Sequence, residues 1–223
     1  MTRLTSITAA AIVAAMSIPY GATSAHADTL LQVVIDHSGV LHDEQDPQGK
    51  SGFNQFVSEF LHDLARAHRR DRDDTRVVLI SGVAPSRIIW SGDAASFYRE
   101  GIRSPELQTV LEGQPNGCND LPEALSEVSA NFRLAPADET VLHVITSGVH
   151  SGPDCADLTQ EGYINLVETA DPALAEALQA AAAQIGQVYV HFLTATQRRA
   201  LLDAIDVQST GITLRAQGQT TGF

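Results

Sequence analysis

Short apolar runs separated by segments of helical periodicity constrain this chain more than any other feature. Leu30-Leu31-Gln32-Val33-Val34-Ile35 is almost unbroken in apolar character, as a strand covered on both faces requires. After a polar loop, Phe53, Phe56, Val57, Phe60, Leu61 and Leu64 recur at the spacing of a helix that faces a core. That helix leads into the charged segment from Arg66 to Asp74, which reads as a solvated helix end. Arg76–Ser81 and Ser86–Ser91 form the next two strands, and so short a link suits an antiparallel hairpin better than a parallel crossover. Helical segments follow near Asp93–Arg99 and Pro105–Glu112, and then the breaker cluster Gly113 to Gly117. Asp120–Phe132 reads as a helix with Pro122 in its first turn, where proline is tolerated. Thr140–Thr146 is a strand, Ala170–Ile185 an alanine-rich helix, Gln187–Leu193 a strand, Thr196–Ile205 a helix and Ile212–Ala216 a last strand. The order β-α-β-β-α-β-α-β-α-β predicts one α/β domain, a Rossmann-like and mostly parallel sheet with one antiparallel edge and helices on both faces.

Residues 1–27 read as an export signal. Met1-Thr2-Arg3 gives a positive start, Ile7 to Ile18 an apolar stretch, and Ala25-His26-Ala27 small residues at the two positions a signal peptidase requires. The apolar stretch, about a dozen residues, falls short of the ~20 that span a bilayer. The expectation is therefore an exported chain, periplasmic or secreted, that is cleaved near Ala27 and whose single domain covers residues 28–223. The formal net charge is −13, and the signal carries one basic residue and no acidic one. A surface of that sign repels nucleic acid and anionic membrane; it suits a basic protein or a cation, and solubility alone is the simpler account. The two cysteines, Cys118 and Cys155, are expected to pair in an oxidising compartment, although two free thiols are the rival reading.

In open α/β sheets ligands bind beyond the carboxyl ends of the strands. Three segments fall at such ends: Asp36-His37-Ser38-Gly39-Val40, Gly117-Cys118-Asn119-Asp120-Leu121 and Ile145-Thr146-Ser147-Gly148. Asp36 and Ser38 are two apart and project to one side of an extended backbone, and a hard cation takes such oxygens as ligands.

With its element order, these three segments make the chain resemble the von Willebrand factor A (vWA) family over essentially all of residues 28–223. Members with an intact metal-ion-dependent adhesion site carry Asp-x-Ser-x-Ser, a Gly-x-Thr-Asp-like loop and Thr-Asp-Gly. Here Asp36 and Ser38 match, Val40 stands for the second Ser, Asn119 for the Thr and Ser147 for the acidic residue of the third loop. Asp120-Leu121, Ala124-Leu125, Thr146 and Gly148 keep the framing pattern. The resemblance thus implies the vWA fold with a degenerate metal site. At most it implies a divalent cation, Mg²⁺ or Ca²⁺, held weakly by Asp36, Ser38, Asn119, Asp120 and Ser147, with a Cys118–Cys155 bridge stapling two of the loops. It further implies a non-enzymatic, adhesion- or assembly-type module that binds a protein through a rim including His37, Val40 and His150.

Two other functional readings remain open. One is an exported serine-type hydrolase using Ser38 or Ser147 with His37 or His150; neither serine sits in a Gly-x-Ser-x-Gly elbow. The other is a structural subunit of an envelope complex. His37, His42, Asp43, Glu44, Asp46, His150 and Asp154 crowd the same rim without the spacing of a zinc motif, and scattered loop polarity is the simpler account. His143 and His191 are expected as packed strand residues. Trp90 is either a partner-facing anchor or packed under a neighbouring helix.

Overall fold

The computed structural model describes residues 27–38, 49–70, 74–112, 118–155, 168–217 and 219. It places six strands in one sheet: β1 (Thr29–Ile35), β2 (Thr75–Ser81), β3 (Ile88–Asp93), β4 (Glu139–Ile145), β5 (Gln187–Leu193) and β6 (Ile212–Ala216). Their spatial order is β3-β2-β1-β4-β5-β6. All neighbours are parallel except β2 and β3. The expected α/β fold, a mostly parallel sheet with a single antiparallel edge and helices on both faces, is thus the fold of the chain. The signal-peptide reading and Val40 lie outside the described residues, apart from Ala27.

Alternation along the strands divides the interior into two cores. Leu30 and Val34 of β1 face helices α4 (Leu121–Leu134), α5 (Pro172–Ile185) and α6 (Ala195–Ala204). Leu31, Val33 and Ile35 face α1 (Gly49–His68), α2 (Ala94–Arg99) and α3 (Pro105–Glu112). Both faces of β1 are covered, which is why its sequence shows no polar alternation. Gln32, fully buried on the first face, donates from Nε2 to Val128 O (3.2 Å) on α4. A short α7 (Val207–Thr210) leads into β6.

The helix starts carry local signals. Asp120 caps α4 by accepting from Glu123 N, and Asp171 caps α5 by accepting from Ala173 N and Leu174 N. Gly186 closes α5 at φ +90, a conformation that disfavours any residue with a Cβ. The third strand starts two residues later than expected and runs through Gly92 to Asp93. Ser86 is held elsewhere: its N donates to Glu123 Oε2 (2.9 Å) and its hydroxyl to Asp120 O (3.4 Å) at the start of α4. Trp90 packs inward against Phe97 of α2, with ring centroids 4.9 Å apart.

Candidate functional site

The carboxyl ends of β1, β2 and β4 bring the candidate residues together because each strand is extended by a bonded loop. Asp36 N donates to Ile145 O (2.9 Å), Gly82 N to Ile35 O (2.8 Å) and Asp120 N to Gly82 O (3.0 Å). A Cβ on Gly82 would lie 3.2 Å from Asp36 Cα and 3.3 Å from Ile35 O, a tight fit that glycine relieves where the second strand closes on the first. The second loop is laid against the segment after β2 by a bridge between Val83 and Asn119 and by Ala84 N donating to Cys118 O (2.9 Å).

Asp36 is fully buried, and its carboxylate accepts from three neutral donors. Ser38 N reaches Oδ1 (3.2 Å), and Asn119 Nδ2 (2.9 Å) and Thr146 Oγ1 (2.8 Å) both reach Oδ2. Asn119 Nδ2 also donates to Val149 O (2.7 Å). Its Oδ1 accepts from Ser151 N (2.7 Å) and Ser151 Oγ (2.9 Å), and Asn119 N donates to Ser151 Oγ (3.0 Å). Thr146 Oγ1 accepts from Gly148 N (3.0 Å), and Ser147 Oγ from Val149 N (3.2 Å). Asp36, Asn119 and the Thr146-Ser147 pair therefore form one buried assembly, with Ser151 as a fourth member that the loop motifs did not point to. Its only sequence signal is a small polar residue between Gly148 and Cys155.

Cys118 and Cys155 form a disulfide across this assembly, with Cα atoms 5.3 Å apart and a sequence separation of 37. One end is next to Asn119 and the other four residues past Ser151, so the covalent link and the side-chain bonds tie the second and third loops together. Gly148 turns the third loop at φ +87, and a Cβ there would meet Gln197 Cβ and Leu193 Cδ2 at 2.8 Å. Glycine is needed twice over, for the backbone angle and for the close approach.

The remaining candidates sit differently from one another. Asp120 points its Oδ1 at Glu123 N (3.0 Å), serving the helix cap rather than Asp36. His150, expected on an open rim, is 8% exposed and wedged between two helix caps. Its Nδ1 lies 3.1 Å from Asp171 Oδ2 and its Nε2 4.0 Å from Asp120 Oδ1. Burial raises the Asp171 carboxyl, but the bond from His150 and the two helix N–H groups outweigh it and hold the group below its usual range. His37 Nε2 lies 3.0 Å from Ser81 Oγ, so it is the end of β2, not Ser38, that it meets. Ser38 Oγ is buried with no hydrogen-bond partner among the described residues. Of the seven rim residues weighed for zinc, His42, Asp43, Glu44 and Asp46 lie outside the described residues. Among the described residues no group of three or more His, Cys, Asp or Glu could hold a metal ion.

The donor set does not fit the cation that the sequence resemblance implies. Toward Asp36, Asn119 presents an amide N–H, and an N–H cannot ligate a cation. Its oxygen faces away and is already filled by two donors from Ser151. The third loop contributes hydroxyls engaged within the loop or with Asp36, and among the described residues no second carboxylate bonds to this set.

A separate polar cluster lies on the α1 face of the sheet. His143 Nδ1 and His191 Nε2 are 3.1 Å apart beneath Phe60, whose ring centroid is 5.1 Å from each. A register shift between Val190 and Leu193, with Phe192 at φ +67, lets His191 and Phe192 both face α1 while Leu193 returns to the other core. Burial pushes both histidines down from 6.5 to about 3, aided by the Arg215 and His68 charges at His143 and by His143 and Arg215 at His191. His143 also lines a cleft of about 610 Å³ at the amino ends of the parallel strands with Asp28, Glu139, Tyr189 and Arg215. That cleft is at the end of the sheet opposite Asp36.

No sequence-family profile and no characterised protein sequence matches the chain. Solved structures do match in fold. The PilB minor pilin of Streptococcus sanguinis is similar at 11% identity and TM-score 0.56, over 86% of this chain and 58% of that one. The pilus adhesin SpaC of Lactobacillus rhamnosus GG, in its open conformation, is similar at 13% identity and TM-score 0.57, over 85% of this chain and 28% of that one. The conserved protein BatB of Bacteroides thetaiotaomicron is similar at 16% identity and TM-score 0.51, over 86% of this chain and 91% of that one. The chain spans little more than half of PilB and about a quarter of SpaC. At these identities the likeness is one of fold.

Proposed function

We propose that this chain is an exported, non-enzymatic module that binds a protein partner, of adhesion or assembly type, through the loop rim at the carboxyl ends of its strands. The observation that carries the reading is the tying of the Asn119 and Ser147–Cys155 loops to Asp36 by side-chain bonds and by one disulfide. A surface whose loops are already ordered loses little entropy on binding. The disulfide fits an oxidising destination, and no helix among the described residues is long and apolar enough to cross a membrane. The fold shared with a minor pilin and a pilus adhesin points the same way. Cleavage of the export signal near Ala27 belongs to this reading. A hydrolase is disfavoured because the Ser147 hydroxyl is engaged with its own loop and His37 meets Ser81 rather than Ser38.

Site-specific photo-crosslinking in the native envelope tests the proposal. A crosslinker at exposed Pro153 or Asp154 on the rim should trap a defined partner, and one at exposed Glu139, at the other end of the sheet, should not. Adducts from Glu139 alone would move the interface away from the rim. Recovery of the partner at fixed stoichiometry through purification would make the chain a permanent subunit rather than a transient binder.

A further inference from the structure

We propose that the rim is built to hold its shape without a divalent cation, the Asn119 amide giving Asp36 the electropositive partner that a metal ion gives a carboxylate elsewhere. The inference borrows only its location from the binding role above.

The orientation of Asn119 decides the matter, and three neighbours fix it. Val149 O can only accept, and it lies 2.7 Å from Asn119 Nδ2. Ser151 N can only donate, and it lies 2.7 Å from Asn119 Oδ1. Asp36 Oδ2 is a carboxylate oxygen 2.9 Å from Nδ2. Exchanging the two ends of the amide would set oxygen against oxygen twice and nitrogen against nitrogen once, so the N–H end must face Asp36. With both lone pairs of Oδ1 used by Ser151 N and Oγ, Asn119 has no oxygen left to offer a cation. Thr146 is committed as well: its proton goes to Asp36 and its oxygen accepts from Gly148 N, which leaves it a single lone pair.

The assembly is closed covalently as well. Cys118 precedes Asn119, Cys155 follows Ser151 by four residues, and their bond completes a ring around the Asn119–Ser151 pair. That ring holds the amide in register with Asp36 whatever the cation concentration. Ser38 Oγ, buried and without a hydrogen-bond partner among the described residues, is the free hydroxyl of the assembly, and neutral hydroxyls beside one carboxylate that already accepts three hydrogen bonds make a poor cation site.

The test is Mn²⁺ binding, measured by calorimetry and by Mn²⁺ EPR on the purified, oxidised protein, with thermal midpoints in Mg²⁺, Ca²⁺, Mn²⁺ and EDTA alongside. The expected result is the same midpoint in all four and no saturable stoichiometric site. Weak binding that Asp36→Asn leaves unchanged is attraction to the acidic surface and agrees with the proposal. One stoichiometric Mn²⁺ lost in Asp36→Asn would overturn it. Asn119→Asp adds the complementary arm: it removes the N–H and sets a second carboxylate against Asp36, so its midpoint should fall in EDTA and recover with millimolar Mn²⁺. If that variant is unfolded in every buffer, the wild-type measurement still decides the question. A stoichiometric cation at Asp36 would leave the crosslinking result untouched. A rim that captures nothing would equally leave the metal result standing.

Discussion

The Asp36 assembly and the His143–His191 pair meet the same difficulty, polar side chains deep in an α/β core, in opposite ways. Asp36 is surrounded by donors from three loops: Ser38 N of its own loop, and two bonds that reach across the chain to Asn119 and Thr146. The histidines share a hydrogen bond and lie among rings, with His143 stacked on Tyr189 at 5.3 Å and Arg215 lying 5.2 Å over that same ring. The first arrangement organises loops; the second packs the sheet face. Burial is tolerated for histidine because the ring can stay neutral, whereas a buried carboxylate calls for donors. Position follows the same division: the donor-rich cluster is at the rim, and the ring-packed one is on the sheet face near the opposite cleft.

The largest separation between the two regions should come from the disulfide. Cys118→Ser with Cys155→Ser should lower stability by about 4 kcal/mol on the chain-entropy account of a loop this long. Hydrogen exchange should then quicken around Asn119 and Ser151 while the amides of β5 near His191 stay protected. Uniform loosening of both regions would mean that the bridge serves the whole fold rather than the rim. Gly148→Ala should cost about 2 kcal/mol or more, from a left-handed backbone angle and the contacts it would force on Leu193 and Gln197. Urea melts would measure that loss, and a loss under half a unit would mean the third loop is looser than described.

The histidine pair should give the smallest effect near neutral pH and a visible one in acid. Both folded-state values are depressed to about 3 from 6.5. Between those limits the unfolded chain binds more protons than the folded one, so stability is full above 6.5 and falls as the pH drops toward 3. At its steepest the slope is roughly 1.4 kcal/mol per pH unit for each histidine. His143→Leu with His191→Leu should flatten this acid limb, because it removes both groups whose protonation unfolding favours. An acid limb unchanged in the double variant would assign it to the carboxylates instead.

The strands were legible because β1, β2, β4 and β5 are largely buried on both faces, and single polar residues such as Gln32, His143 and His191 did not disguise them. The start of β3 was less so: Ser86 belongs to a strand-like stretch but spends its hydrogen bonds on α4. At the site, spacing placed Asp36, Asn119 and Thr146-Ser147 at one end of the sheet, but it could not say which end of the Asn119 amide would turn toward Asp36. Residue type fixes what a side chain can donate or accept, and only the neighbours choose between the two. Ser151 was missed for a related reason, since it acts by filling Asn119 Oδ1 and not by matching any ligand pattern. His150 looked like rim polarity and is instead buried between the caps of α4 and α5.

The central claim is that an amide hydrogen bond stands where the family resemblance would put a cation, and crystals of the oxidised protein grown in millimolar Mn²⁺ test it most directly. The account predicts Asn119 Nδ2 within hydrogen-bond distance of Asp36 and no anomalous peak between them. A manganese peak coordinated by Asp36, with the Asn119 amide turned to present its oxygen, would contradict it.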